Sequence, residues 1–453
     1  MVKRSDPVPA DDVYDHRGDL ESRLAAVLEA ARASGADSTE AVVSLRSGLD
    51  VSVRLGEVET LEHQRDRVLA LTVYFGQRKG TARTSDLGDQ AIRETVAAAC
   101  EIARHTEGDP CNGLADAALM PTELPELDLY HPWAMTPTAA MDMARSCEQA
   151  ALALDPRIDN SDGASVATSR ALRIYANSHG FTGTHAGTRH TISCAVIARE
   201  QDAMQRDGWY TVATRHAALE SPELVGRQAG QRALARLGAR RLDTCRAPVL
   251  FTPETARGLV SHLVAAASGG ALYRRASFLC DRLGEQVTSP LVSLRELPHL
   301  PQAMGSAAFD GEGVATQARE LVSAGVLRGY VLGSYAARRL GMRSTGNAGG
   351  VHNLTLAPGH HDFAGMLAEM GEGLVVTHLM GQGVNTVTGD YSRGAAGFWV
   401  SGGEIAFPVE EITIAGNLGD MWRDVVAVGN DPDLRGNIRT PSLLIGGMTI
   451  AGQ

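Results

Sequence analysis

The sequence has few cysteines, and their arrangement suggests neither a metal site nor a disulfide framework. Six cysteines are scattered over 453 residues, with no CxxC pair and no Cys/His spacing of zinc type. Structural zinc sites and disulfide-rich domains need closely spaced or densely repeated cysteines. We therefore expect reduced thiols, most of them buried, and no zinc held by cysteine.

A long apolar run is also missing. No uninterrupted hydrophobic stretch approaches the roughly 20 residues that span a bilayer. Residues 1–20 begin with two basic residues but then turn acidic and proline-bearing, so they lack the apolar core of a signal peptide. These absences predict a cytoplasmic protein with no membrane partner.

Positive charge is in deficit. Lys and Arg number 42 against 53 Asp and Glu, which gives a net charge of −11. Nucleic acids are bound by clustered Lys and Arg, and no long basic run occurs here, so we expect no direct nucleic-acid partner. The glycines of residues 346–350 do not have the spacing of a phosphate-binding loop, which gives nucleotide binding no support.

What is present favours an α+β fold. After a flexible tail over residues 1–18, a helical pattern over 20–34 precedes strand patterns within 41–75, and a second helical pattern covers 89–105. A charged turn at residues 63–67 interrupts the strand patterns. The order predicts an N-terminal domain, residues 19–110, in which helices flank an antiparallel sheet.

A connector and middle α+β segment, residues 111–245, follows. It starts with a proline-rich stretch, and Thr136-Pro137 then suits a helix start, because threonine caps and proline fits the first turn. From residue 246 to 453 glycine becomes dense and β-type runs alternate with glycine turns. This pattern predicts a mostly antiparallel C-terminal β domain with a few helices, including a hairpin that turns at residues 401–403.

The richest polar cluster lies between glycines at residues 388–394, whose sequence is TGDYSRG. Glycine lets a ligand approach the backbone closely. Arg393 suits a carboxylate or carbonyl oxygen, and Tyr391 offers apolar contact with one hydrogen bond. Because the surroundings are β-rich, an extended peptide could pair with a sheet edge. The segment predicts a peptide-binding cleft, with a solvated turn as the alternative.

Several long motifs then carry a resemblance to a known family. They are GLVSHLVAAASGGALYRR, FLCDRLGEQV, FDGEGVATQ, STGNAGGVHN, MGQGVNTVTGDYSRGAAGFWV, FPVEEITIAGNLGDMW and VGNDPDLRGNI. In this order they resemble the PmbA/TldE branch of the TldD/PmbA proteins. The resemblance spans nearly the whole chain and is densest after residue 250.

The resemblance implies a peptidase family whose TldD branch holds zinc through an HExxxH helix and a cysteine near the C-terminus. Aligned on the two arginines that end the first motif, the histidine positions fall on Ser261 and Ala266, and the glutamate position falls on His262. Residues 438–442 contain no thiol. The resemblance therefore implies no metal ligand and no catalytic residue in this chain, with zinc only in a TldD-like partner.

Three histidines and the polar cluster together define the predicted cleft. Its residues are His262, His352, His378, Asp390, Tyr391, Ser392 and Arg393. For the three histidines, core, interface or turn roles are the alternatives. The neighbouring His360-His361-Asp362 is better explained as a helix start capped by Asp362 than as a metal cluster. No G-x-S-x-G elbow supports a Ser/His/Asp triad at these residues.

The function implied by the resemblance is that of a non-catalytic subunit in a TldD/TldE-type metalloprotease. Such an assembly would act on unfolded or small peptides, in peptide maturation and antitoxin degradation. The implied partners are a TldD-like subunit and a peptide bound as an extended strand, and a homodimer of the isolated chain is compatible with the paired subunits of the family. Two alternatives stay open: an autonomous peptidase or hydrolase with an unrecognised site, and a direct modulator of DNA gyrase.

Overall fold

The computed structural model describes residues 12–452 and has a mixed α+β architecture, as predicted. The helices are α1 (Arg17–Ala33), α2 (Asp89–His105), α3 (Pro137–Leu152), α4 (Pro222–Ala235), α5 (Pro253–Ala266), α6 (Gly269–Tyr273), α7 (Ser334–Arg339), α8 (Phe363–Met370) and α9 (Leu418–Arg423). The strands are β1 (Ser38–Arg54), β2 (Glu57–Phe75), β3 (Arg78–Thr84), β4 (Ile158–Asn177), β5 (Thr182–Glu200), β6 (Ala203–Ala213), β7 (Cys245–Phe251), β8 (Leu294–Glu296), β9 (Arg319–Ser323), β10 (Val326–Leu327), β11 (Leu354–Leu356), β12 (Gly373–Met380), β13 (Asp390–Ser401), β14 (Glu404–Asn417), β15 (Val425–Val428), β16 (Ile438–Arg439) and β17 (Leu443–Ala451).

The first sheet joins the first two predicted segments. Its order is β3-β2-β1-β4-β5-β6, and every neighbouring pair is antiparallel. Alternate residues of β1 are buried, because successive side chains of a strand point to opposite faces. The buried face packs against α1 and α2 near one end and against α3 and α4 near the other. We call the opposite face the open face of this sheet.

The predicted turn at residues 63–67 is wrong, because β2 runs without interruption through it. His63 pairs with Leu49, and Arg67 pairs with Leu45, in one continuous register. Nearly all side chains from residue 57 to 68 are exposed, so charged residues carry no burial cost there and the hydrophobic alternation of a half-buried strand is absent. Of the predicted tail, residues 1–11 lie outside the described part, and a 3-10 turn (Val13–His16) leads into α1.

The C-terminal part is built on a curled sheet and a smaller one. The curled sheet has the order β14-β13-β12-β7-β17-β15, and a further pairing of β14 with β17 brings it back on itself. The predicted hairpin is confirmed: Ser401 pairs with Glu404, and Gly402 and Gly403 adopt positive φ between them. The smaller sheet has the order β10-β9-β8-β11-β16. Helix α5 lies in the large core shared by both sheets.

The fold bears on the expectations for the cysteines and for membrane-spanning segments. All six cysteines lie in the described part and are unpaired, and three of them are buried. Between residues 12 and 452, no helix has both the length and the apolar character needed to cross a bilayer.

The close approach of α3 and α4 gives a test of the packing. A methyl group at Gly226 in α4 would lie 1.9 Å from the carbonyl oxygen of Cys147 in α3, whereas a methyl group at Gly18 in α1 would meet nothing within 4 Å. Alanine is favoured over glycine in helices by up to about 1 kcal/mol. We expect Gly18→Ala to raise the free energy of unfolding by at most that amount, because no contact opposes it.

At Gly226 the backbone clash outweighs helix propensity, so we expect Gly226→Ala to lower the free energy of unfolding by about 2 kcal/mol or more. Urea denaturation of both variants measures the two effects. Equal stabilities of the two variants would contradict the packing of α3 on α4.

Candidate functional site

Helix α5 carries the positions that the resemblance aligns with metal ligands. The extended Thr252 precedes it, and Pro253 occupies its first turn, where the fixed φ of proline suits a helix. Leu259 and Leu263 are buried in the core. The remaining side of the helix is partly exposed and polar.

The ligand positions on α5 offer little to a cation. The Ser261 hydroxyl donates to the carbonyl oxygen of Arg257 at 2.9 Å, within the same helix. Ala266 contributes a methyl group that is fully buried. Strand β16, from the segment aligned with the cysteine, packs against α5 and carries Arg439. Within residues 12–452, no three side chains of His, Cys, Asp or Glu lie together so that they could hold a metal ion. The donor set therefore does not fit zinc.

His262 packs against two side chains of β13 instead. Its ring meets the Tyr391 ring edge-on, with centroids 6.2 Å apart and planes at 72°. Burial, and then the positive charge of Arg393, lower the pKa of His262. Burial also raises the pKa of Tyr391 to about 12, although Arg393 acts in the opposite direction. Near pH 7 the imidazole is thus neutral and the phenol is protonated.

Each of these three side chains has a buried polar atom with no hydrogen-bond partner among the described residues. The atoms are His262 Nε2, Tyr391 Oη and Arg393 Nε. Most buried polar groups are hydrogen-bonded, and leaving one unpaired costs roughly 1–3 kcal/mol. We name these residues the α5–β13 cluster. A guanidinium N–H and a phenol O–H can both donate to a carbonyl or carboxylate oxygen.

The other residues predicted for the cleft lie elsewhere. Asp390 and Ser392 flank Tyr391 on β13 but are exposed, because the strand alternates its faces, and Asp390 accepts a hydrogen bond from the Thr388 hydroxyl at 2.6 Å. His352 donates its backbone N–H to the buried Glu296 carboxylate at 2.7 Å. The structure therefore brings together three of the seven predicted cleft residues, leaves Asp390 and Ser392 exposed beside them on the same strand, and gives His352 and His378 other partners.

His378 lies in a group of ion pairs that joins the first sheet to the C-terminal part. Its Nε2 is 3.3 Å from the carboxylate of Asp207 on β6, which also accepts a hydrogen bond from Arg232 of α4 at 3.1 Å. Burial would raise the pKa of Asp207, but the hydrogen bond from His378 and the charge of Arg232 outweigh it and lower the pKa to about 2. His378 thus contributes to a structural contact between layers.

Arg435 has the most partners in this group of ion pairs, and sequence reasoning did not single it out. Its guanidinium donates to Asp433 at 2.9 Å and to Glu254 of α5 at 3.2 Å. It also lies over two rings of β6, 4.2 Å from the Trp209 centroid and 4.4 Å from that of Tyr210. The available signal was its place in the motif VGNDPDLRGNI, which does not reveal its partners.

The histidine pair beside α8 has the structural setting that the sequence favours. Asp362 Oδ1 accepts a hydrogen bond from the backbone N–H of Gly365 at 2.8 Å, which confirms the predicted helix cap. His360 and His361 are exposed next to it.

Comparisons with known proteins agree over almost the whole chain. Models of PmbA/TldA metallopeptidase domain 1, central domain and C-terminal domain match residues 39–103, 130–237 and 244–452. The metalloprotease PmbA of Escherichia coli O157:H7 is 48% identical over 434 residues, which cover 96% of each chain.

Solved structures give the same result for the fold. A candidate modulator of DNA gyrase from Bacteroides thetaiotaomicron is 27% identical, with a TM-score of 0.91 over 96% of this chain and 99% of that one. TldE from Thermococcus kodakarensis, 21% identical, has a TM-score of 0.81 over 95% of this chain and all of the other. The second likeness shows a shared fold.

The unpaired phenol of Tyr391 generates a stability prediction. Tyr391→Phe removes a buried hydroxyl that has no partner, so we expect the free energy of unfolding to rise by about 1 kcal/mol. Tyr330 is the matched control, because it is also buried but donates its hydroxyl to the carbonyl oxygen of Leu279 at 3.1 Å. Tyr330→Phe should lower the same quantity by about 1 kcal/mol. Chemical denaturation of both variants decides, and a loss of stability in Tyr391→Phe would contradict the unpaired state.

Proposed function

The chain belongs to the PmbA/TldD metallopeptidase family, and from this premise we propose that it is the non-catalytic subunit of a TldD/TldE-type heteromeric metalloprotease acting on unfolded or small peptides. The observation that carries the proposal is the chemistry of α5. The two positions aligned with metal-binding histidines hold a hydroxyl bonded to the helix backbone and a buried methyl group, and the position aligned with the glutamate holds an imidazole.

The charge around His262 adds to this argument. A catalytic zinc ion in a protein usually has three protein ligands and one open position for water. Here a single imidazole lies beside the cationic side chain of Arg393, and Arg439 lies in the strand that packs against the helix. Positive side chains oppose the binding of a divalent cation. The chain's own residues therefore support binding of a polar ligand better than binding of a metal.

In the proposed assembly, a TldD-like subunit holds the zinc ion, which supplies an activated water for peptide hydrolysis. This chain contributes to the cavity that receives the peptide. The half-buried Arg393 can donate hydrogen bonds to peptide carbonyl oxygens, and the buried Tyr391 and the half-buried His262 pack beside it. The substrate would enter as an extended strand held by side chains, because β13 is already paired on both sides, with β12 and β14, and has no free edge for a peptide.

A mixing experiment tests the proposal. The purified chain alone should leave an unstructured peptide uncut, whereas the same chain mixed with a TldD-like subunit should cleave it in a reaction that a zinc chelator abolishes. Arg393→Gln should reduce cleavage by the mixture about tenfold, because it removes a charged donor from the α5–β13 cluster. Arg328→Gln is the control, since Arg328 is an exposed arginine outside the cluster and should not change the rate.

Cleavage by the isolated chain that persists with chelator present would contradict the proposal and support the autonomous hydrolase instead. Unchanged cleavage by the Arg393→Gln mixture would remove the α5–β13 cluster from the substrate cavity.

A further inference from the structure

A cavity of about 620 Å³ lies between the open face of the first sheet and loops of the C-terminal part. Arg173 of β4 and His185 and Arg189 of β5 line it from the sheet, and Asp310 and His352 line it from the loops. It is separate from the α5–β13 cluster, none of whose residues lines it. Its volume is in the range of pockets that bind small molecules or short peptide segments.

The sheet register arranges the basic residues of the cavity along a strip. Arg173 is directly opposite His185 in the β4–β5 pair. Gly187 and Arg189 follow His185 on the same face of β5, because side chains alternate along a strand. Gly187 adds no side chain between the two basic residues, and a methyl group there would lie 3.8 Å from His185 Nε2 and 3.9 Å from Leu129 Cβ.

The arginines on this strip lack a direct acidic partner. Burial lowers the pKa of Arg173, and the nearby Tyr175, Asp310 and Glu40 act in the opposite direction. Among the residues that the structure describes, neither Arg173 nor Arg189 forms an ion pair, and Arg173 makes one long hydrogen bond, 3.4 Å, to the carbonyl oxygen of Gly311. Burial lowers the pKa of His185, and the charges of Arg173 and His352 lower it further. His185 is therefore neutral near pH 7, and Arg173 and Arg189 supply the positive charge of the strip.

The carboxylate that lines the cavity already accepts hydrogen bonds from the backbone. Asp310 accepts hydrogen bonds from the backbone N–H groups of Glu312, Val314 and Ala348, at 2.9, 2.9 and 2.8 Å. Burial raises its pKa to about 6 despite these bonds. Arg435 also lines the cavity but is paired with Asp433 and Glu254. In a chain of net charge −11, Arg173 and Arg189 therefore form a local site for an anion.

The spacing of the two arginines indicates what kind of anion. Arg189 is four residues beyond His185, the residue opposite Arg173, so the backbone positions of the two arginines are separated by roughly 13 Å along the strands. A single small anion could contact both guanidinium groups only if the two side chains converged on it. An extended peptide with acidic side chains about four residues apart can contact each arginine at its own end of the strip.

We propose that this cavity binds acidic peptide segments, with Arg173 and Arg189 each binding one carboxylate. The peptide nature of the ligand rests on the proposed function, whereas the preference for carboxylates comes from the cavity itself. The site would give the assembly a preference for substrates that carry acidic residues beside the segment to be cut. It is a binding site and contributes no group to the hydrolysis.

Direct binding to the isolated chain tests the proposal. The probe is a fluorescent Gly/Ser/Thr peptide with an amidated C-terminus and two glutamates four residues apart, compared with the same peptide carrying glutamines. Fluorescence anisotropy should show at least tenfold tighter binding of the glutamate peptide. The Arg173→Gln/Arg189→Gln double variant should lose that tenfold preference, and the exposed Arg189→Gln single variant should lose part of it.

Arg83→Gln is the matched control, because Arg83 is an exposed arginine on β3 at the opposite edge of the sheet. It should bind both peptides as the unsubstituted chain does. Equal binding of the two peptides, or full retention of the preference in the double variant, would overturn the proposal. Binding of inorganic phosphate alone, with no binding of the glutamate peptide, would also overturn it by assigning the cavity to small anions.

The assay needs neither zinc nor a partner subunit. Its failure is therefore distinguishable from failure of the proposed function, which is measured as cleavage by the mixture. The folding of each arginine variant is checked by its thermal unfolding midpoint. For the exposed Arg189→Gln variant we expect an unchanged midpoint, so that a loss of binding there reports on the cavity.

Discussion

Arg435 contacts both helix α5 and strand β6 of the first sheet, and the arrangement of these two parts depends on this contact. One guanidinium reaches Glu254 at the start of α5, Asp433 beside its own backbone and the two aromatic rings of β6. Burial would lower the pKa of Arg435, but its bonds to Asp433 outweigh this and raise it. Breaking such a buried pair leaves an uncompensated charge, so the contact fixes α5 against the first sheet.

Two sites of different character follow from that placement. The α5–β13 cluster has buried, unpaired polar atoms and an imidazole that is neutral near pH 7, and we propose that its half-buried Arg393 meets uncharged peptide groups. The cavity on the open face, which Arg435 also lines, carries unpaired arginines and suits carboxylates. Neither site has the grouped donors of a metal centre. In the proposed function, these are the two places where a chain of this metallopeptidase family would contact a peptide.

Sequence reasoning succeeded where local chemistry decides. The bounds of α2, the hairpin turn at Gly402 and Gly403 and the cap at Asp362 are all set by neighbours within a few residues. It failed within β2, because an exposed strand needs no hydrophobic alternation. It also missed the partners of Arg435 and the pairing of Arg173 with His185, since these contacts join residues that are distant in the sequence or depend on strand register. The resemblance located α5, but the grouping of His262 with Tyr391 and Arg393 required the fold.

The zinc content of the purified chain, measured by elemental analysis after dialysis, tests the central claim most directly. We predict far less than one zinc ion per chain and no difference between the unsubstituted protein and His262→Ala, because the aligned positions on α5 supply one imidazole and no further ligand. One tightly held zinc ion per chain that disappears in His262→Ala would contradict this account.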